Sequence, residues 1–454
     1  MGMILEDEAV LLRTENAALR VESAALRERI GELEQQIAES GERGRRLPSF
    51  VKVNRSKSVQ AKEPRRKRDA RHNKGRKREK PTKMALHELE HCPDCGSRLY
   101  RRKIAWRRQV IELPPPQAAE VTEHVVMKRW CAKCERWQSP HLDWRGMVVG
   151  QGRLGIRLVS VIAYLRTTLR VPLRQIQEYL GTMHGVRVSV GELTELLHRV
   201  RKEGQGQLQG LKEEMRRSAL LHMDETGWRE DGQNGYVWVC STGGGVEPVR
   251  YYEYDHSRSQ AVAQRLLGAQ FGGVLSSDFY VGYNRYLGRH QRCWVHLLRD
   301  LHELKEEHAQ QAEVLQWAEK VRRLYEDAEH FVRAIPAPGQ IEREQQYLEL
   351  LQRLGPLGLA YASQKKHPCQ ALAKRLLRHQ DELFQFVVID GLPADNNLAE
   401  RSLRPLVVCR KISGGTRSSE GSKTRMGLAS LFATWQARGL NPFRQCLALL
   451  AQSP

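Results

Sequence analysis

No window of this 454-residue chain approaches the roughly 18 consecutive apolar residues that a membrane-crossing helix needs, so a helical span is excluded and no membrane partner is expected. A basic, apolar leader is missing too. The chain starts MGMILEDEAVLLRTEN, with Glu6, Asp7 and Glu8 where a secretory signal would be cationic, and the cytoplasm is the expected compartment. Cysteine is sparse and odd in number, nine, which disfavours a disulfide frame and favours metal ligands and free thiols. Acid is short relative to base: 53 Asp plus Glu stand against 74 Lys plus Arg, a formal net charge of +21. Neutralising phosphates releases their condensed counterions, so nucleic acid is the favoured partner, a merely soluble basic protein being the other reading. The length permits roughly two to four domains with a sizeable core.

What is present is organised around LLHMDETGW, 220–228. An apolar run able to fill a buried strand passes straight into Asp224 and Glu225, and a strand that ends this way points an acid out of the sheet into a cleft. A meander follows. EDGQNG carries Asp-Gly and Asn-Gly turn dipeptides, YVWVCST is β-rich, and VRYYEYD is a third strand. SRSQAVAQRLLGAQ is helical, and GGVLSSD, 272–278, is a fourth strand that again ends in an acid. Three antiparallel strands, a helix and a strand able to pair beside the first is the order of a ribonuclease H-like sheet, with Asp224 and Asp278 ending neighbouring strands on one side. Close carboxylates repel unless a cation lies between them, which calls for Mg2+ or Mn2+. Two such ions about 3.5 to 4 Å apart clamp the attacking and leaving oxygens of a phosphoryl transfer.

A third acid comes from PADNNLAERSLRPLVVCRK. Asp395 or Asn396 caps a short helix that is expected to end before Pro405, whose ring disfavours helical angles at Arg404. Asn396, Glu400 and Arg404 recur at four-residue steps with Asn397 and Arg401 alongside, a face suited to a metal and the phosphates around it. Arg401, Arg404 and Lys411 are the candidate phosphate contacts.

Toward the N-terminus, Leu5, Leu12, Leu19, Leu26 and Leu33 keep an unbroken seven-residue step, with Asn16 at an a position. That is the pattern of a parallel two-stranded coiled coil, or of one amphipathic helix lying on its own protein. Next, Arg65, Arg66, Lys67, Arg68, Arg76, Lys77 and Arg78 crowd a run too cationic to pack on itself, an arm that tracks phosphates or a plain solvated linker. Cys92 and Cys95 in HCPDCGSRL, with Cys131 and Cys134 in RWCAKCERW, can supply four thiolates to one structural Zn2+; one such pair alone could be redox-active, whereas two pairs rarely are. IAWRRQVIEL and AEVTEHVVMKRW between them read as strands of a DNA-facing ribbon. LGIRLVSVIAYLRTTL, the segment opened by Pro172 and the one capped by Ser189 are three helices, either a helix-turn-helix reader or a common short bundle.

HMDETGW, SSDFYVGYN, CWVH and ADNNLAERSLRPLVVCRK, in that order, resemble the insertion-sequence-66 family of bacterial DDE transposases. The resemblance implies that Asp224, Asp278 and Glu400 form a metal-binding triad holding two Mg2+, or Mn2+. The reaction it implies is hydrolytic nicking at element ends followed by strand transfer into target DNA, in a bacterial, nucleoid-associated homodimer or higher oligomer with room for accessory element-encoded proteins. Cys293 and His296 match the family's Cys-Trp-x-His pattern, with core packing and a metal role both open. The arm RRKRDARHNKGRKREK lacks the family's Gly-His-x-Gly. Other readings of the same residues are a structure-specific DNA nuclease of the same fold, which would stop at nicks, and a non-catalytic zinc-containing DNA-binding regulator.

The expected architecture is α/β and multidomain: coiled coil 1–42, basic arm 43–85, zinc module 86–145, helical DNA-binding region 150–212, a ribonuclease H-like core from 218–296 and 391–425, a helical insertion 297–390 and closing helices 426–454. Asp278 and Glu400 lie 122 positions apart, far more than a sheet connection needs, hence the insertion.

Overall fold

A computed structural model describes residues 79–243, 247–334 and 336–452. The coiled coil of 1–42 and the basic residues Arg65, Arg66, Lys67, Arg68, Arg76, Lys77 and Arg78 lie outside the described residues. The chain divides into two compact units, 1–112 and 113–454. In the first, Cys92 and Cys95 sit on a tight turn: the Gly96 amide donates to the Cys92 carbonyl and the Cys92 amide to the Ser97 carbonyl, both at 2.8 Å. Gly96 holds φ of +72°, an angle that costs a residue with a Cβ about 1 kcal/mol or more.

The second unit opens with the short strands β1 (Arg129–Cys131) and β2 (Arg136–Gln138), which pair antiparallel around Cys131 and Cys134. Helices α1 (Ile156–Thr167), α2 (Leu173–His184), α3 (Val190–Glu203) and α4 (Gln205–Arg216) follow. Then come β3 (Leu220–Glu230), β4 (Gln233–Thr242), β5 (Arg250–Asp255), α5 (Gln260–Leu267), β6 (Val274–Ser277) and β7 (His290–Arg292). A helical stretch contains α6 (Trp294–Glu307), α7 (Ala312–Val332), α8 (Gln340–Ala362), α9 (Gln370–Arg378), α10 (Gln380–Leu383) and α11 (Gln385–Val388). Finally α12 (Asn397–Ser413), α13 (Ser419–Ala437) and α14 (Pro442–Ala451) complete the described chain.

The sheet is five-stranded in the order β5-β4-β3-β6-β7, with β3, β6 and β7 parallel and β4 and β5 antiparallel to their neighbours. The β3–β4 turn uses Asp231 and Gly232, both at positive φ (49° and 78°), as a two-residue hairpin turn requires. The second expected turn dipeptide, Asn234-Gly235, lies inside β4 instead, because Glu230 already pairs with Gln233. At the outer strand β5, the amides of Arg250 and Tyr252 have no further strand to meet. The hydroxyls of Thr434 and Ser430 on α13 take them at 2.9 and 2.8 Å, closing that edge.

Alternation along β3 sorts the layers. Leu221 and Met223, with Trp238 and Cys240 across the ladder, join one core with α1 to α5, α13 and α14. Trp228, Val237 and Val239 face the other way onto Ala399, Leu403, Leu406 and Cys409 of α12. Leu220 and Val274, on the same parity as Trp228, join the separate core of the 297–390 helices. The three sequence-expected helices of 154–203 therefore exist, with Ser189 capping α3 through the Glu192 amide at 3.0 Å, and they share a core with the sheet.

Three further expectations fail. β3 does not end at Asp224: it continues to Glu230, because Thr226 to Glu230 keep pairing with β4 from Val237 to Gln233, so this acid lies inside the strand and only Asp278 follows a strand end. No strand forms at 104–113 or 119–128; β1 takes only the last residues of the second run. β-branched and aromatic residues favour strands because they fit a half-buried pleated surface, and here Ile104, Trp106, Ile111, Val121 and Val125 are all exposed with no face to cover. Pro405 does not end its helix, since α12 continues to Ser413 with the proline inside. Arg401, whose carbonyl loses the missing amide, and Pro405 itself are both exposed, so water can serve that carbonyl.

Candidate active site

The parallel register pairs His222 with Ser276, so Asp224 and Asp278 stand two residues further on at one level and one parity. That parity is the α12 side. Asn396, at the N-cap position of α12, is fully buried and ties helix to strand: its Nδ2 donates to the Met223 carbonyl at 2.7 Å, and its Oδ1 lies 3.1 Å from His222 Nδ1. The expected side-chain cap is thus redirected, and Asp395 does the local work by accepting the Asn397 amide at 2.9 Å. One helical turn beyond Asn396 comes Glu400, partly buried. Removing the bridge in Asn396→Ala strands a buried imidazole and carbonyl, and the expected loss is roughly 1–3 kcal/mol in urea unfolding; a change near zero would mean the tie carries nothing.

The cluster is electrostatically uncomfortable as it stands. Burial, then the charges of Glu225, Asp278 and Glu400, push the Asp224 carboxyl well above the usual aspartate range, outweighing the amide that donates to it. Glu400 Oε1 is buried with no hydrogen-bond donor among the described residues, and the His296 Nε2 lies 3.6 Å from it. Asp224 Oδ1 accepts its neighbour's amide, Glu225 N, and Asp278 Oδ1 accepts Tyr280 N, each at 2.9 Å. One oxygen of each aspartate is thereby occupied, and among the described residues no three His, Cys, Asp or Glu side chains are grouped as a ready metal cage. Carboxylates whose charges raise the pKa of Asp224, one of them with an oxygen lacking a donor, are the chemistry a hard divalent cation relieves.

Glu225 is excluded from the cluster by the pleat. It points to the other face, where Arg258 Nη2 and Nε donate to it at 2.6 and 2.8 Å and the Tyr283 hydroxyl donates as well. Burial raises its pKa nonetheless, with Asp278 adding to the effect. The Arg258 guanidinium stacks 4.0 Å from the Tyr280 ring centre. Sequence reading gave no role to Arg258, just before α5, or to Tyr283, which ends a short 3-10 helix at Val281–Tyr283, because both act only through the distant Glu225. Cys293 is buried at the start of α6, receiving the Asn396 amide on its sulfur at 3.2 Å, and burial pushes its thiol up to about 11. It packs, whereas His296 faces Glu400. Arg401, Arg404 and Lys411 are exposed on α12, and the charge of Arg401 reaches the buried His222.

In the cysteine turns, the Ser97 hydroxyl holds the Cys95 thiol below its usual range, and the Cys134 amide does the same for Cys131. Lowered thiols are better zinc ligands.

Fold and site together define an α/β protein with acidic residues inside β3 and just past the end of its parallel neighbour β6, on the α12 side of the sheet. Residues 151–424 match the model of the transposase IS66 family, and residues 90–135 match the zinc-finger binding domain of transposase IS66. The chain belongs to the IS66 transposase family. Two Sinorhizobium fredii (strain NBRC 101917 / NGR234) proteins are similar: uncharacterized protein y4qI, 25% identical over 325 residues, and uncharacterized protein y4jO, 29% identical over 155. The first match covers 65% of this chain and 59% of the relative; the second covers 34% and 46%. The chain thus spans about half the length of the curated relatives it matches. Among the described residues no helix is long and apolar enough to cross a membrane.

Proposed function

We propose that the chain is a DNA transposase with a ribonuclease H-like core, in which Asp224, Asp278 and Glu400 hold two Mg2+ or Mn2+ ions for cleavage at element ends and strand transfer into target DNA. One observation supports this: besides burial and Glu225, the charges of Asp278 past β6 and Glu400 on α12 both reach Asp224 on β3 and raise its pKa. When bound, the ions supply Lewis acidity to the attacking and leaving oxygens of the phosphodiester. The protein's part is to hold three acids on three rigid elements, with Asn396 fixing α12 against β3. Glu225 is kept from competing by Arg258 and Tyr283. Arg401, Arg404 and Lys411 contact phosphates, fixing the substrate without reading its sequence. The arm of 43–85 adds salt-sensitive affinity, and the helices of 150–212 are the reader of the ends. The deciding assay incubates the full chain with labelled DNA carrying the flanking element ends, in Mg2+ and then in EDTA. Metal-dependent 3′ ends joined to new DNA are expected; nicks with no joining would contradict transposition.

Cys92, Cys95, Cys131 and Cys134 are the proposed ligands of one structural Zn2+. Chelation with a strong zinc chelator, or Cys131→Ser, is expected to release one equivalent of zinc and weaken DNA binding, while far-ultraviolet circular dichroism from the helices of 150–452 changes little. Equal zinc content in wild type and variant, by atomic absorption, would remove Cys131 from the ligand set.

A further inference from the structure

Arg292, the last residue of β7, has no exposed surface, yet its guanidinium serves three different segments. Nη1 donates to the Asp278 carbonyl at 2.8 Å, Nη2 to Asn284 Oδ1 at 2.7 Å, and Nε to Glu382 of α10 at 2.5 Å. The backbone ladder between β6 and β7 ends one step earlier, where the Cys293 amide donates to the Ser277 carbonyl at 2.9 Å. Past that point Arg292 supplies, from a side chain, the donor that holds the Asp278 backbone. The Ser277 hydroxyl bonds the same carbonyl at 2.8 Å and lies 2.8 Å from His290 Nε2, closing the network underneath.

The far side of Asp278 is held by the same helices. Phe279 places its ring 4.9 Å from the Arg375 guanidinium and 5.6 Å from the His379 ring, and His379 Nδ1 lies 2.9 Å from Glu382. Gln291 adds a second seam, donating to the Leu383 carbonyl at 3.1 Å and accepting the Phe386 amide at 2.9 Å. Stability alone gives weak reason for a buried ion pair, since packed apolar residues of the same volume often do as well. A guanidinium also has a rigid fork that fixes direction, and here two of its nitrogens join the Asp278 backbone to the 297–390 helices.

We propose that the helical insertion is the mount of the second acid: Arg292 and Glu382 are positioning residues that set where Asp278 presents its carboxylate, without touching the reacting atoms. The inference rests on Asp278 being a cation ligand. Positioning groups behind metal ligands are typically worth ten- to hundredfold in metal affinity.

The test uses the full chain, with Mn2+ as probe followed by calorimetric titration, and reads melting temperature and DNA binding alongside. Asp278→Asn is the reference variant. Glu382→Gln is expected to weaken Mn2+ binding about tenfold and to raise the Mg2+ concentration for half-maximal nicking by the same factor, with DNA affinity unchanged and Glu382→Asp restoring part of the loss. Phe279→Leu, which disturbs the other flank and unpairs no charge, is expected to weaken Mn2+ binding several-fold and decides the matter should Glu382→Gln not fold. Native Mn2+ affinity in folded Glu382→Gln or in Phe279→Leu, with Asp278→Asn defective, overturns the positioning role and leaves the triad standing. Native Mn2+ affinity in Asp278→Asn overturns the triad itself.

Discussion

Asp224→Asn is expected to abolish metal-dependent strand cleavage, by about a thousandfold or more, while folding and DNA binding persist. A cation at a phosphoryl oxygen is worth several kcal/mol of barrier, and each 1.4 kcal/mol is about tenfold in rate. The same substitution has an unusual stability signature. Because Asp224 in the folded chain holds its proton well above the usual 3.8, the metal-free fold is favoured while that carboxyl is protonated and loses stability as pH rises from near 3.8 through the raised folded value. Asn cannot ionise, so the variant should melt higher than metal-free wild type at neutral pH, and its melting temperature should vary less across that window. Adding Mn2+ should raise the wild-type melting temperature and leave the variant unmoved. A variant that cleaves normally removes Asp224 from the chemistry, and one with the wild-type pH profile removes it from the strained cluster.

Trp294→Ala is expected to cost roughly 3–5 kcal/mol, as for other fully buried tryptophans. Trp294 has no exposed surface, its ring lies 5.2 Å from both Tyr325 and Phe384, and its Nε1 donates to the Leu383 carbonyl. It begins α6 two residues before His296, so it links the edge of the sheet to the core of the insertion. Denaturant unfolding should show the loss, and cleavage should fall with it because Asp278 depends on the same junction. Trp294→Phe should recover about half. A loss under roughly 1 kcal/mol would mean that insertion and sheet are independent bodies.

The run from Leu220 was legible as a strand from its apolar residues, but its end was not, since β3 passes through Asp224 to Glu230 along the β4 ladder; Asp278 does follow the last residue of its strand. Asp231-Gly232 announced its hairpin through the positive φ that only such pairs accept cheaply. The four-residue spacing of Asn396 and Glu400 put both on one face of a helix, and that face does meet β3. The β-branched and aromatic residues of 104–128 misled, because a strand needs a surface to cover and local sequence does not record whether one exists. Pro405 misled because the rule about proline concerns a lost hydrogen bond, and exposure of the flank decides whether that loss matters. Arg292 and Glu382 were invisible for a different reason: their partnership spans 90 residues and exists only once β7 and α10 pack together.

The most direct test of the central claim is anomalous diffraction from crystals of the full chain grown with Mn2+. The account predicts a peak with carboxylate oxygens of Asp224, Asp278 and Glu400 about 2.0–2.3 Å away, reached by Asp224 or Asp278 turning from its own backbone amide. Manganese bound elsewhere at saturating metal, with none of those three side chains on it, would contradict it.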